Sequence, residues 1–318
     1  MKRILLTLGV VASMGAATAQ QDYQFTHYMF DNLSFNPGYA GLSKSICGTL
    51  MYREQWAGFN DGNGNPGTGL LNVHAPVKML RGGLGLTYLN DQLGFEKNNI
   101  ARLSYSYHMG LGVGDLGIGI SAGIIQKSIN ATWITPDGTP AANDAAINAG
   151  GANGNLSDIS DLVPDINFGV FYQTNNLYMG ISATHLGQFD MDELSLQNVH
   201  HYWITAGYKY DINQDFRLRP SILAKSDGAS TQIDLNANVL WRDMVWLGAS
   251  YRLGDAIAPM AGYQTNVGQG LLRIGYSYGV TTSQLSSYSR GSHDIMLNYC
   301  FSIVKPPVIQ KSKNPRFL

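Results

Sequence analysis

The chain has 318 residues, enough for one large domain or two small ones. Only 14% of them are charged, against about 25% in ordinary soluble domains, while Gly and Tyr reach 37 and 18. That balance fits neither a soluble enzyme nor a disordered chain, and the formal net charge of −1 argues against a nucleic-acid partner.

The chain opens Met1-Lys2-Arg3, continues with an apolar run from Ile4 to about Ala17, and reaches a small-x-small site at Ala17-Thr18-Ala19. Residues 1–19 therefore read as a secretory leader. The run is too short to anchor the protein as a membrane helix, and no later stretch is long enough either. Behind the leader comes YMFDNLSFNPGYAG at 28–41. Tyr23, Phe25, Tyr28, Met29, Phe30, Leu33 and Phe35 make this stretch too apolar to dangle in water. Asn36-Pro37-Gly38 marks a turn that redirects the chain.

From residue 46 onwards the dominant signal is period-two alternation. Ala101, Leu103, Tyr105, Tyr107 and Met109 alternate with Arg102, Ser104, Ser106 and His108. The same pattern recurs over 232–241 and 294–303. Such alternation marks strands with one apolar and one polar face. Fourteen strands are expected, near 46–56, 68–76, 82–91, 98–109, 115–127, 165–173, 177–185, 201–210, 215–225, 231–241, 244–252, 257–265, 270–280 and 292–303. Most have the length of a tilted membrane-spanning strand, about 9–11 residues, rather than the five or six usual in a soluble sandwich.

Odd-numbered connections are mostly long (57–67, 128–164, 186–200, 281–291) and even-numbered ones short. Outer-membrane barrels share that parity: short periplasmic turns, longer outside loops and an even strand count. Tyr107, Tyr172, Tyr210, Trp241, Tyr263 and Tyr299 fall on the apolar parity near periplasmic ends, where an interfacial girdle belongs. The fold class is thus all-β, a transmembrane antiparallel up-and-down barrel of about 14 strands. Residues 45–303 form the barrel. Residues 20–44 form a plug-like segment in the lumen or across the base, with a periplasmic contact as the alternative. Residues 304–318, opened by Pro306-Pro307 and basic at Lys311, Lys313 and Arg316, form a periplasmic tail that is either unstructured or a docking element.

The polar parity faces the bore. It carries Arg102, Lys209, Arg217, Arg219, Lys225, Asp234 and Arg273, which either solvate the lumen or grip an inserted peptide. Cys47 and Cys300 share that parity near the periplasmic ends of the first and last strands. Closure makes those strands neighbours, so a disulfide across the seam is expected if register brings the two together.

Other motifs carry little chemistry. Gly112-Val113-Gly114-Asp115-Leu116-Gly117 matches GxGxxG, but a strand follows it, not a helix, so it reads as a tight turn. Asp61-Gly62-Asn63-Gly64-Asn65 starts like a calcium loop, but Pro66 and Asn72 break the pattern. Asp158, Asp161 and Asp165 read as solvated loop charges. His200 and His201 point to opposite faces, which disfavours a shared metal. No Ser/His/Asp or Cys/His pairing stands out and GxSxG is absent. No catalysis, cofactor or metal is expected.

An ordered set of motifs runs through the mature chain: YMFDNLSFNPGYAG at 28–41, YREQWAGFNDGNGNPGT at 52–68, GLGLTYLNDQLG at 83–94, SYSYHMGLG at 104–112, HYWITAGYKY at 201–210, LRPSILAK at 218–225, WLGASYR at 246–252, LRIGYSY at 272–278 and YSRGSHDIMLNYCF at 288–301. Together they resemble the PorP/SprF family of type IX secretion outer-membrane proteins. The resemblance implies a barrel in the outer membrane of a Gram-negative cell, associated with secretion and gliding machinery and not an enzyme. Its partners would be outer-membrane lipid, type IX secretion components and the C-terminal domain of a secreted surface adhesin, which the barrel would anchor or help export. Trp56, Phe59, Asn60 and Asp61, in the first outside loop, are the candidate partner contacts. The alternatives are a structural subunit that meets periplasmic ring components and a passive porin.

Overall fold

The computed structural model describes residues 22–58, 65–129, 159–187, 189–191, 196–287 and 289–302. The expected leader, the tail from 304, and Phe59, Asn60 and Asp61 lie outside the described residues.

Fourteen long strands follow one another: β1 Ser45–Glu54, β2 Gly67–Val77, β3 Gly82–Leu93, β4 Glu96–Leu111, β5 Gly114–Ile129, β6 Ile159–Gln173, β7 Leu177–Thr184, β8 His201–Tyr208, β9 Phe216–Ser226, β10 Thr231–Trp241, β11 Val245–Arg252, β12 Ala256–Val267, β13 Gly270–Thr281 and β14 Ser292–Ser302. Each pairs antiparallel with its chain neighbours. β1 pairs with β14 in register from Ser45↔Ser302 to Glu54↔His293, so the sheet closes on itself. Closure removes the two free edges of an open sheet; β6 is paired with β7 only from Phe168 to Gln173. No described helix is long and apolar enough to cross a membrane; the crossing is made by strands.

The side-chain distribution is inverted relative to a water-soluble protein. On β1, Leu50 and Tyr52 are 49% and 54% exposed, while Thr49 and Arg53 on either side of them are buried. The same holds around the wall: Leu103, Ile181, Ile204 and Leu247 face outward, and Asn72, Thr87, Ser106, Asn167, Thr205, Asn236 and Ser277 face inward. A contiguous apolar surface of this kind has to be covered, here by lipid. Slippage of any strand by one residue would exchange its two faces, so the pattern also fixes the register.

The expected strands are present, with three differences. The third connection shrinks to Gly94-Phe95, because Leu93 pairs directly with Glu96 and Gly94 takes the positive φ (+59°) that a tight hairpin needs. β4, β5 and β6 run to 16, 16 and 15 residues, about five more than a crossing requires, so this part of the wall is longer than the rest. Because β6 begins at Ile159, Asp165 is not a solvated loop charge but an inward, buried residue of the wall.

One inner feature breaks the polar rule. Met296, Met51, Leu70, Leu89, Ile100, Ile125 and Val163 are successive register partners on β14, β1, β2, β3, β4, β5 and β6, and all are buried. They form an apolar row along half of the inner wall. Phe25, and with it Tyr23, Met29 and Phe30, packs in the cluster this row belongs to. Full burial of an aromatic side chain such as Phe25 stabilises by about 1.5–3 kcal/mol.

Candidate functional site

Residues 22–44 occupy the lumen and make the site. Their second half is a tight backbone feature. Asn36 accepts the Gly38 N–H on its side-chain oxygen (2.9 Å), and Pro37 supplies the fixed φ that starts a single 3-10 turn, Pro37–Tyr39. The Asn36 amide then donates to the carbonyls of Val170 and Ile181, at 3.1 and 3.2 Å. This turn lies against a floor without side chains. A Cβ on Gly83 would sit 2.2 Å from Ala40 O, on Gly117 2.1 Å from Gly38 O, and on Gly119 2.3 Å from the Pro37 carbonyl carbon. Glycine is needed at these wall positions because backbone meets backbone there. Ser106 donates to Gly38 O (2.8 Å) and Ser182 to Phe35 O (2.6 Å), which satisfies plug carbonyls that water does not reach.

The first half is held by charge. Arg53 donates to Gln24 O (3.1 Å) and pairs with Asp294 (3.4 Å), which also takes the Thr26 hydroxyl. Arg102 pairs with Asp165 and donates to Tyr23 Oη and Ser34 O, both at 3.2 Å. Lys225 donates to the Asp22 carbonyl and lies 5.7 Å over the Trp203 ring, which stacks on Phe35. Asn72 donates to both oxygens of Asp31 at 2.7 Å. Burial pushes the Asp31 carboxyl up to about 6, with the Asn72 and Ser34 hydrogen bonds opposing. Burial also drives the His27 imidazole down to about 4, although Asp294 pulls the other way, so His27 sits neutral against the edge of Trp246.

The plug separates two cavities that share no lining residue. The cavity at the short-turn end has a volume of about 410 Å³. Lys209, Arg219 and Arg273 line it, and among the described residues it has no carboxylate in its wall. Arg219 and Arg273 each donate to an asparagine (Asn238 and Asn298, both 2.7 Å), and each keeps one buried N–H group without a partner. Partial burial and the adjacent Arg273, Arg219 and Arg217 charges push the Lys209 ammonium down. The cavity at the long-loop end, about 360 Å³, is bordered by Asp22, Asp91, Glu96, Lys127, His185 and His201.

Of the residues marked as lumen lining, Arg102 and Asp234 are buried in ion pairs, the latter with Arg252 (3.1 Å). Arg219 and Arg273 line the turn-end cavity. Arg217 stands on the inward parity but at the rim, paired with Asp211 and Asp243. Cys47 and Cys300 are register partners on β1 and β14 and are joined as a disulfide. Trp56 takes a left-handed backbone (φ +52°) and donates its N–H to Ser292 Oγ at 3.2 Å. Its companions Phe59, Asn60 and Asp61 lie outside the described residues. Sequence reasoning missed the glycine floor. The run of Gly at every second position, 117 and 119 with 83 and 85, was its only trace.

A closed wall greased on the outside, with a plug inside, defines an outer-membrane β-barrel protein. The chain belongs to the PorP/SprF family: residues 17–299 match the family described as type IX secretion system membrane protein PorP/SprF. No curated protein sequence matches the chain significantly. Among solved structures it is similar to the Ralstonia pickettii toluene transporter TbuX (TM-score 0.50, 11% identity, covering 84% of this chain and 92% of that one). It is also similar to the CymD monoaromatic hydrocarbon channel (TM-score 0.50, 12% identity, 87% and 93%). The Acinetobacter baumannii outer membrane protein Omp33 matches at TM-score 0.43 and 8% identity, over 82% and 99%. Identities this low speak to the fold alone.

Proposed function

We propose that this chain, after removal of residues 1–19 as an export leader, is a plugged barrel that binds a secreted surface protein through that protein's C-terminal domain and anchors it or aids its export. One observation carries the reading: a member of a secretion-system family has its bore filled by its own residues 22–44, so its working surfaces are the two ends and not the channel. Binding would be non-covalent, with aromatic anchors surrounded by satisfied polar contacts. Trp56, Phe59, Asn60 and Asp61 are the segment proposed to meet the cargo. The test is recovery of an adhesin C-terminal domain on the intact barrel and on a variant lacking 57–65. The reading expects recovery to fall sharply without the loop; equal recovery would count against it. Single-channel conductance is expected to stay near baseline. An open-channel conductance would favour a passive porin, or a small-molecule route like that in the names of TbuX and CymD.

A second reading has a specific observation in its favour. The turn-end cavity gathers Lys209, Arg219 and Arg273 without a lining carboxylate, as suits a structural subunit that receives an acidic element of a periplasmic ring component. In that case Arg219→Gln with Arg273→Gln, or deletion of 305–318, would impair secretion of many substrates at once and not one.

A further inference from the structure

At the long-loop end, three side chains from distant parts of the chain converge. Asp22 comes from the entrance of the plug, His185 from just past β7, and His201 from the start of β8. One ligand-type atom from each lies within 4.8 Å of the other two. Both histidines are buried, and their rings meet edge to face at 5.7 Å.

The tautomers are set by the neighbours. His201 Nδ1 lies 3.1 Å from the Val199 carbonyl oxygen, which can only accept, so Nδ1 carries the proton. His201 Nε2 in turn faces the Asp22 backbone N–H at 3.4 Å and so presents a lone pair. His185 Nδ1 lies 2.8 Å from Asp165 Oδ1, a carboxylate already paired with Arg102, so it too is the donor. His185 Nε2 points at Asp22 Oδ2, 3.3 Å away. Each imidazole therefore spends Nδ1–H on an oxygen behind it and turns Nε2 toward Asp22, His185 to its carboxylate and His201 to its backbone N–H, a contact that a bound metal would displace. That arrangement recurs behind metal-bound histidine, where the oxygen behind the ring fixes tautomer and orientation.

We propose that Asp22, His185 and His201 form a binding site for a divalent transition metal of the zinc class, which fastens the entrance of the plug to the barrel wall. Two imidazole nitrogens and one carboxylate oxygen suit zinc in preference to calcium or magnesium, which take oxygen ligands. Bond lengths of about 2.0–2.2 Å require the three groups to close in by roughly an ångström, within reach of a side-chain adjustment. A fourth coordination position opens into the 360 Å³ cavity, where water or an incoming partner's side chain can occupy it. The adjacent His200 is outside the set.

The test uses the full barrel without a polyhistidine tag, purified in detergent and stripped with a chelator. Zn²⁺ binding is followed by competition with a chromophoric chelator, and Co²⁺ is added separately for its visible d–d bands. The wild type is expected to bind one ion per chain, with a tetrahedral-type Co²⁺ spectrum. His201→Gln and Asp22→Asn should each weaken Zn²⁺ by at least about tenfold, the scale of losing even a supporting partner, and abolish that spectrum. His200→Gln should change neither. Folding of each variant is checked by heat-modifiable migration on a gel. Zinc should also slow proteolysis of the N-terminal segment in the wild type and not in His201→Gln. Absence of stoichiometric binding to the wild type, or equal affinity in His201→Gln and His200→Gln, would overturn the proposal and leave the cluster as an imidazolium–carboxylate pair.

Discussion

The two halves of the plug are fastened by different balances of contact. Residues 22–31 hang on charge: Gln24 and Thr26 on the Arg53–Asp294 pair, Asp31 on Asn72, and Asp22 on Lys225 and His185. Residues 33–42 are held mainly by shape, with the backbone around Asn36-Pro37-Gly38 laid onto glycines of β3, β5 and β6, beside side-chain contacts from Arg102, His74 and His108. Charge contacts depend on ionisation and on every partner being present. Shape contacts do not titrate, but tolerate no added atom. The first half is therefore expected to respond to pH more than the second.

Removal of a buried ion-pair partner should have the largest effect. Arg53→Met leaves Asp294 with only hydroxyl donors, Thr26 and Ser277, and is expected to cost about 3–5 kcal/mol. Denaturant midpoints would measure it, and limited proteolysis should show residues 22–31 exposed while 33–42 stay protected. Loss of protection over both halves at once would erase the distinction drawn here. Gly119→Ala comes next, at about 1–3 kcal/mol, because the new methyl would meet immovable backbone. Its signature is protease sensitivity centred on 36–38 with no change in pH dependence.

Asp31 gives the charge half a pH profile. Its folded value, about 6, lies above the ordinary carboxylate value. The stabilisation it brings is therefore fully present below about pH 4 and is lost as pH rises through 6, on the order of 2 kcal/mol over that window. Tyr23 and Tyr39, the other titratable groups beside it, stay neutral there. Asp31→Asn should flatten the profile between pH 4 and 7.5, since the new amide can donate to the otherwise unpartnered Asn72 oxygen. An unchanged profile of melting midpoints in that variant would assign the titration elsewhere. The smallest effect is expected from Ser106→Ala, which removes one hydrogen bond to Gly38 O and should cost about 1 kcal/mol. A larger loss than for Gly119→Ala would mean that hydrogen bonds and not shape hold the second half.

The wall was legible in the sequence because lipid and lumen impose a strict two-residue period, and residues such as Leu103 and Arg102 obey it. The Cys47–Cys300 pairing followed from the same parity. The plug was visible only as a segment too greasy for water. Its partners were not, for three reasons. The inner row from Met296 to Val163 places one apolar residue per strand on the polar face, below the threshold of any periodic reading. Gly117 and Gly119 look like turn or composition signals until another backbone is laid on them. Asp22, His185 and His201 belong to segments whose proximity is a product of closure and plug docking together, so local pattern contains nothing of it.

The cross-link between Cys47 and Cys300, 253 residues apart in sequence, turns the wall into a covalent hoop. A hoop of this kind cannot unzip sideways between its first and last staves. Any lateral opening of this wall into the bilayer would have to part a different seam or first reduce this bond.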